Sequence, residues 1–93
     1  MWIFTKDKAI NTDNVLQIWI DSSHINFLST DGTRVTIYMS NDNYAIRLYK
    51  EIVSELGRGA QLIFNVDRRI ELWNKEFEDY MKAKKEEIEN DAT

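Results

Sequence analysis

Residues 15 to 56 constrain the fold more than any other stretch, because they hold three apolar segments of strand length followed by one helical stripe. The segments are Val15 to Ile20, Ile25 to Phe27 and Arg34 to Met39, with Asp21-Ser22-Ser23-His24 and the Thr30-Asp31-Gly32 turn between them. A three-residue hairpin loop ends in a left-handed residue, where a Cβ is disfavoured, and Gly32 meets that need. Ser29 then faces Thr33, Phe27 faces Val35 and Ile25 faces Ile37, which gathers four apolar side chains on one face. A two-residue loop would pair Phe27 with Thr36 and Asn26 with Ile37, so the hydrophobic pattern selects the longer loop. With residues 21 to 24 as a four-residue loop, Ile20 lies beside Ile25, Ile18 beside Phe27 and Leu16 beside Ser29, and the inner face is extended.

A helix follows that can cover this face. Ser40 or Asn41 can cap its first amides, and Gly57 can supply a left-handed exit. Between them Ala45, Leu48, Tyr49, Ile52, Val53 and Leu56 recur at helical spacing and form one stripe. Burying each large side chain of such a core is worth about 1.5 to 3 kcal/mol.

The flanking segments read as material packed onto this unit. Trp2 to Thr5 alternates as a short strand, with Trp2 and Phe4 on one side and Ile3 on the other. Lys6-Asp7-Lys8 is a turn, Ala9-Ile10 re-enters the sheet, and Asn11-Thr12-Asp13-Asn14 is rich in turn formers. After Gly57-Arg58-Gly59, Gln61 to Val66 alternates as a fifth strand, and Asp67 can cap a second helix reaching to about Asn90. On that helix Ile70, Trp73, Phe77, Tyr80, Met81, Lys84 and Ile88 fall on one stripe, while Leu72 points away. Glu71 with Lys75 and Glu78 with Lys82 are i,i+4 pairs in the favourable order. The expected fold class is α+β: an antiparallel meander of four to five strands with one helix on one face and a C-terminal amphipathic helix. Residues 1–93 form a single domain, with 1–57 as sheet plus first helix and 58–93 as the added strand and helix.

Composition narrows the function classes. The chain has 93 residues, no cysteine and one histidine, so disulfides, thiolate metal sites and a cysteine nucleophile are excluded. Charges appear soon after the first apolar residues, so neither a signal peptide nor a membrane span is expected at the N-terminus, and the expected location is the cytoplasm. The net charge is −4, and residues 67 to 93 hold nine acids against six bases. A basic stripe able to displace condensed counterions is missing, so direct nucleic-acid binding is not expected.

The opening Met1 to Asp7, the Ile-Asn-x-Asp-Asn-Val run from Ile10 to Val15, the alternating strand, the Asp31-Gly32 hairpin and the helix begun at Ser40 resemble a known pattern. It is that of small uncharacterised β-meander-plus-helix proteins carried by Gram-positive bacteria and their phages. The resemblance covers about residues 1–57 and implies a phage or mobile-element setting. It implies no catalytic residues, and the tail beyond Gly57 departs from it.

Function is expected to lie in contact surfaces. Under the register above, the outer face of the meander carries Trp19, Leu28, Thr36 and Tyr38, with Gln17, Asn26 and Arg34 around them. An apolar patch of that kind marks a contact. The second helix is expected to fold back onto it through Trp73, Phe77 and Tyr80, with a homodimer or a foreign protein as the other ways of covering it. Trp19, Leu28, Tyr38, Trp73, Phe77 and Tyr80 are therefore the candidate partner-binding residues. Arg68 and Arg69 stand at the positive end of the second helix and are candidates for ion pairing with a partner. Glu76, Glu78, Asp79, Glu86, Glu87 and Glu89 form a candidate acidic surface, which in a phage protein could imitate nucleic-acid charge.

No catalytic or metal-binding residues are assigned, and no cofactor is expected. His24 lies in a turn near Asp21 and Ser22-Ser23, without the rigid scaffold and oxyanion hole that a triad requires. Asn11-Thr12-Asp13 and Asn41-Asp42-Asn43 lack the glycine and closing glutamate of calcium loops. The expected activity is that of a small non-enzymatic protein-binding factor that modulates or inhibits a host complex such as a defence nuclease. The alternative is a self-associating structural module with no foreign target.

Overall fold

The computed structural model describes residues 1–59 and 63–91, and within them the meander forms in the expected register. Strands β3 (Val15–Asp21), β4 (His24–Ser29) and β5 (Arg34–Tyr38) pair antiparallel in sequence order. Ile18 faces Phe27, Ile20 faces Ile25, Phe27 faces Val35 and Ile25 faces Ile37. The Ser29 amide donates to the Thr33 carbonyl at 2.8 Å, and Gly32 has φ +87°, as the three-residue loop demands. The loop between β3 and β4 is shorter than expected, since Asp21 pairs with His24 and only Ser22 and Ser23 turn the chain. Ser22 takes φ +52° there, the sign that a tight two-residue hairpin turn requires.

One position departs from that register. The ladder shifts between Val15 and Gln17, so Val15, not Leu16, stands opposite Ser29. Leu16 is left exposed on the bulge and Val15 packs against the core. Alternation alone does not reveal an inserted residue, because the pattern reads equally well on either side of it.

Helix α1 (Asp42–Arg58) covers the inner face. Asn41 caps it, its side-chain oxygen accepting the Tyr44 amide at 2.8 Å. Ala45, Leu48 and Ile52 are fully buried with Ile25, Phe27 and Ile37, whereas Val53 and Leu56 at the end of the stripe remain exposed. The left-handed exit is Gly59 at φ +64°, two residues later than the sequence suggests, with its amide bonded to the Glu55 carbonyl. Gly57 stays helical because the helix runs two residues further before it needs positive φ.

The remaining strands make a separate sheet, so the expectation of one antiparallel sheet of four to five strands is corrected to two sheets of three. Strands β1 (Trp2–Phe4), β2 (Ala9–Asn11) and β6 (Ile63–Asn65) assemble in the order β2-β1-β6. β1 and β2 are antiparallel, but β1 and β6 are parallel, with Ile3 beside Phe64. Ile3, Ile10 and Phe64 point into the same core as the meander, and Trp2, Phe4 and Ile63 point outward. Of the expected fifth strand, Gln61 and Leu62 lie outside the described residues, and Val66 already belongs to the next helix. A short 3₁₀ turn (Thr12–Asn14) joins the sheets, and the Lys8 ammonium donates to the Thr36 carbonyl across them.

Two measurements check this packing. Phe27→Ala and Leu48→Ala should each cost about 2 to 5 kcal/mol in chemical denaturation, while Val53→Ala should cost well under that. The Asp31 carboxylate accepts the Thr33 amide at 2.9 Å, and this bond holds its pKa below the ordinary carboxylate value. The sign follows: the hairpin is supported above the unfolded aspartate pKa, about 3.9, and loses that support as pH falls through the lowered value. Titration of the Asp31 carboxyl followed by NMR should therefore give a midpoint below that of a model peptide.

Candidate protein-binding surface

Helix α2 (Val66–Asp91) follows β6 without a loop. Its cap is Asn65, not Asp67, since the Asn65 side-chain oxygen accepts the Arg68 amide at 3.0 Å. Asp67 sits one residue inside, where its charge favours the positive end of the helix. Val66 is buried, and the first turns of α2 are thereby fixed to the small sheet.

A seam of side chains then ties α2 to α1. Trp73 is 3% exposed, with the Tyr44 ring edge-on at 5.4 Å and the Arg47 guanidinium 4.6 Å from its ring centre. The Tyr44 hydroxyl donates to the Asn74 side-chain oxygen at 2.7 Å, and Arg47 meets Glu76 at 3.2 Å. Arg69 lies over the Phe64 ring and 3.9 Å from Glu51. That Glu51 oxygen is buried without a hydrogen bond, so its nearest compensation is the Arg69 charge. Such cation–π and edge-on aromatic contacts are each worth about 0.5 to 2 kcal/mol.

Past Glu76 the stripe has no partner among the described residues. Phe77, Tyr80, Met81 and Ile88 are 60%, 57%, 50% and 66% exposed. The molecule is 63 Å long but only 27 by 23 Å across, and the 26 residues of α2, at about 1.5 Å each, account for more than half of that length. Lys84 lies in the same stripe, 4.0 Å from Glu87.

The expected covering of the meander's outer face by α2 does not occur. Trp73, assigned there as an anchor, is spent on α1, and Phe77 and Tyr80 stay 60% and 57% exposed. The outer face is covered instead by its own polar residues. The Arg34 guanidinium lies 5.1 Å from the Trp19 ring centre, and Thr36 donates to Asn26 at 2.7 Å. Tyr38 is exposed, with the His24 ring edge-on at 4.7 Å and the Lys8 ammonium at 5.3 Å, while Leu28 is half-buried. Trp19 and Leu28 therefore offer less apolar surface than their sequence positions suggest.

The charged candidates divide similarly. Arg69 is paired with Glu51, and Arg68 is exposed with no carboxylate within ion-pair distance among the described residues. Glu76 is held by Arg47 and Glu87 by Lys84, while Glu78, Asp79, Glu86 and Glu89 are exposed without ion pairs among the described residues. Lys75, Lys82, Lys84 and Lys85 stand among these acids, so their field is broken up along the helix.

A second apolar surface was not singled out by sequence reasoning. Trp2 and Phe4 stack at 6.2 Å on the outer face of the small sheet, beside exposed Ile63. Leu72 and Arg68 border the same edge. The alternation of Trp2 and Phe4 was the available signal, but their exposure depends on a strand sixty residues away. Among the described residues no helix is long and apolar enough to cross a membrane, and no three His, Asp or Glu side chains gather as a metal site.

Comparison with protein-family models, with curated proteins and with solved structures finds no match to this chain. The division of the stripe has a direct test. Trp73→Ala should destabilise the protein by about 3 to 5 kcal/mol, whereas Phe77→Ala should leave its stability within about 0.5 kcal/mol, both read from urea unfolding.

Proposed function

We propose that this chain is a non-enzymatic protein-binding factor whose principal contact surface is the outer half of α2. The observation that carries this reading is the run Phe77, Tyr80, Met81 and Ile88, half or more exposed on one stripe of a helix that stands clear of the body. Side chains of this kind supply most of the energy of protein interfaces, and a contiguous exposed patch of them marks a contact. Trp2, Phe4 and Ile63 form a second, smaller surface of the same character.

The resemblance of residues 1 to 57 to small proteins of Gram-positive bacteria and their phages supports the finer reading, a factor acting on a host complex such as a defence nuclease. The mixed signs along α2 make apolar contact, rather than imitation of nucleic-acid charge, the source of affinity. Association with a second copy is the other reading, and the order of charges along α2 favours it.

A photo-crosslinking amino acid placed at Tyr80 in the full chain should yield defined protein adducts in cell extract and in purified samples taken together. The same group at Lys75, on the opposite side of the helix, should yield none. No adduct from Tyr80 in either sample, or equal capture from both positions, overturns the proposal.

A further inference from the structure

At 100° per residue, Phe77, Tyr80, Met81, Lys84 and Ile88 fall within an arc of roughly 100°, a face wide enough for one neighbouring helix. The charges of the same stretch are ordered along the axis, with Lys84 in the face itself, Glu76, Glu78 and Lys85 on its flanks and Asp79 and Lys82 behind it. Glu76, Glu78 and Asp79 form an acidic block, and Lys82, Lys84 and Lys85 form a basic block directly after it. The two blocks are symmetric about the point between Tyr80 and Met81.

We infer that the outer half of α2 pairs antiparallel with the α2 of a second copy, about a twofold axis between Tyr80 and Met81. This deepens the protein-binding reading and rests on it. An isologous contact must be self-complementary, and this one is. The acidic block of each copy lies level with the basic block of the other. Phe77 stands at the height of Lys84 of the second copy, whose stem and ammonium can cover the ring. Tyr80 and Met81 meet their own counterparts at the axis. Glu78 and Lys85 of the second copy lie on the same flank, within about 3 Å along the axis. The two acids on the other flank are already neutralised within each chain, Glu76 by Arg47 and Glu87 by Lys84.

Parallel pairing fails on two counts. It sets Lys84 against Lys84 and each block against its like. It also brings two bodies to the same height, although Tyr44 and Arg47 already occupy the stripe over Trp73. In the antiparallel arrangement the bodies lie at opposite ends, and Ile88 of the second copy, level with Trp73, abuts Tyr44 and Arg47, which cover that ring, instead of entering the stripe there. Four apolar side chains on each copy, with on the order of 100 Å² exposed apiece, reach the low end of specific interfaces once the lysine stems are added. The dimer is accordingly reversible.

Sedimentation of the purified full chain over a hundredfold range of concentration should show a monomer–dimer equilibrium. Tyr80→Glu should weaken it by more than about tenfold, since two charges meet at the axis. Lys85→Glu should weaken it by about three- to tenfold, and Glu78→Lys combined with Lys85→Glu should restore it. Because the chain has no cysteine, single cysteines report the direction. Met81→Cys should form an intermolecular disulfide readily, and Ile88→Cys, about 22 Å from its counterpart in this arrangement, should not. A monomer throughout, or a disulfide at position 88 as efficient as at 81, overturns the inference. A monomer whose Tyr80 crosslinker still captures another protein defeats the dimer alone, whereas no capture defeats both readings.

Discussion

The burial of Leu48 and Ile52 of α1 beneath Ile25 and Phe27 of the meander is the contact on which the other parts depend. α1 meets both the meander and α2: its inner side closes the meander, and its flank, through Tyr44 and Arg47, receives Trp73 of α2. The small sheet completes the same core with Ile3, Ile10 and Phe64. If α1 moved, α2 would lose the seam that sets its direction, so the exposed helix is aimed by a core that does not touch its outer half.

That arrangement divides one amphipathic stripe between two tasks. Ile70 and Trp73 serve the fold, and Phe77 to Ile88 are left for contact. The boundary is drawn by Arg47, whose guanidinium covers Trp73 and reaches Glu76, one residue before the free stretch begins. A folded body of modest size can hold only the first turns of a 26-residue helix. The rest must either remain in water or find another surface.

What could be read from the residues was what local pattern decides. The register of β4 and β5 followed from Gly32 and from the alternation of Ile25, Phe27, Val35 and Ile37, and the α1 stripe from its spacing. What escaped was non-local. The parallel partnership of β1 with β6 has no signature in either three-residue segment, and the bulge at Leu16 leaves the alternation intact. The amphipathic face of α2 was legible, but its destination was not. Three side chains on the meander's outer face, Asn26, Arg34 and Thr36, satisfied that surface locally, so no helix was required to cover it. Of the candidate contact residues, Tyr38, Phe77 and Tyr80 are the ones that stay more than half exposed.

The parallel pairing of Trp2–Phe4 with Ile63–Asn65 also sets an order of events during synthesis. As the chain leaves the ribosome, the meander and α1 can pair by residue 59, while β1, made before them, still lacks a neighbour on one edge. Ile3 is sealed only when Phe64 arrives, and α2 starts immediately afterwards. Contacts between such distant segments form late. The N-terminal strand is thus locked late, as the projecting helix begins to emerge.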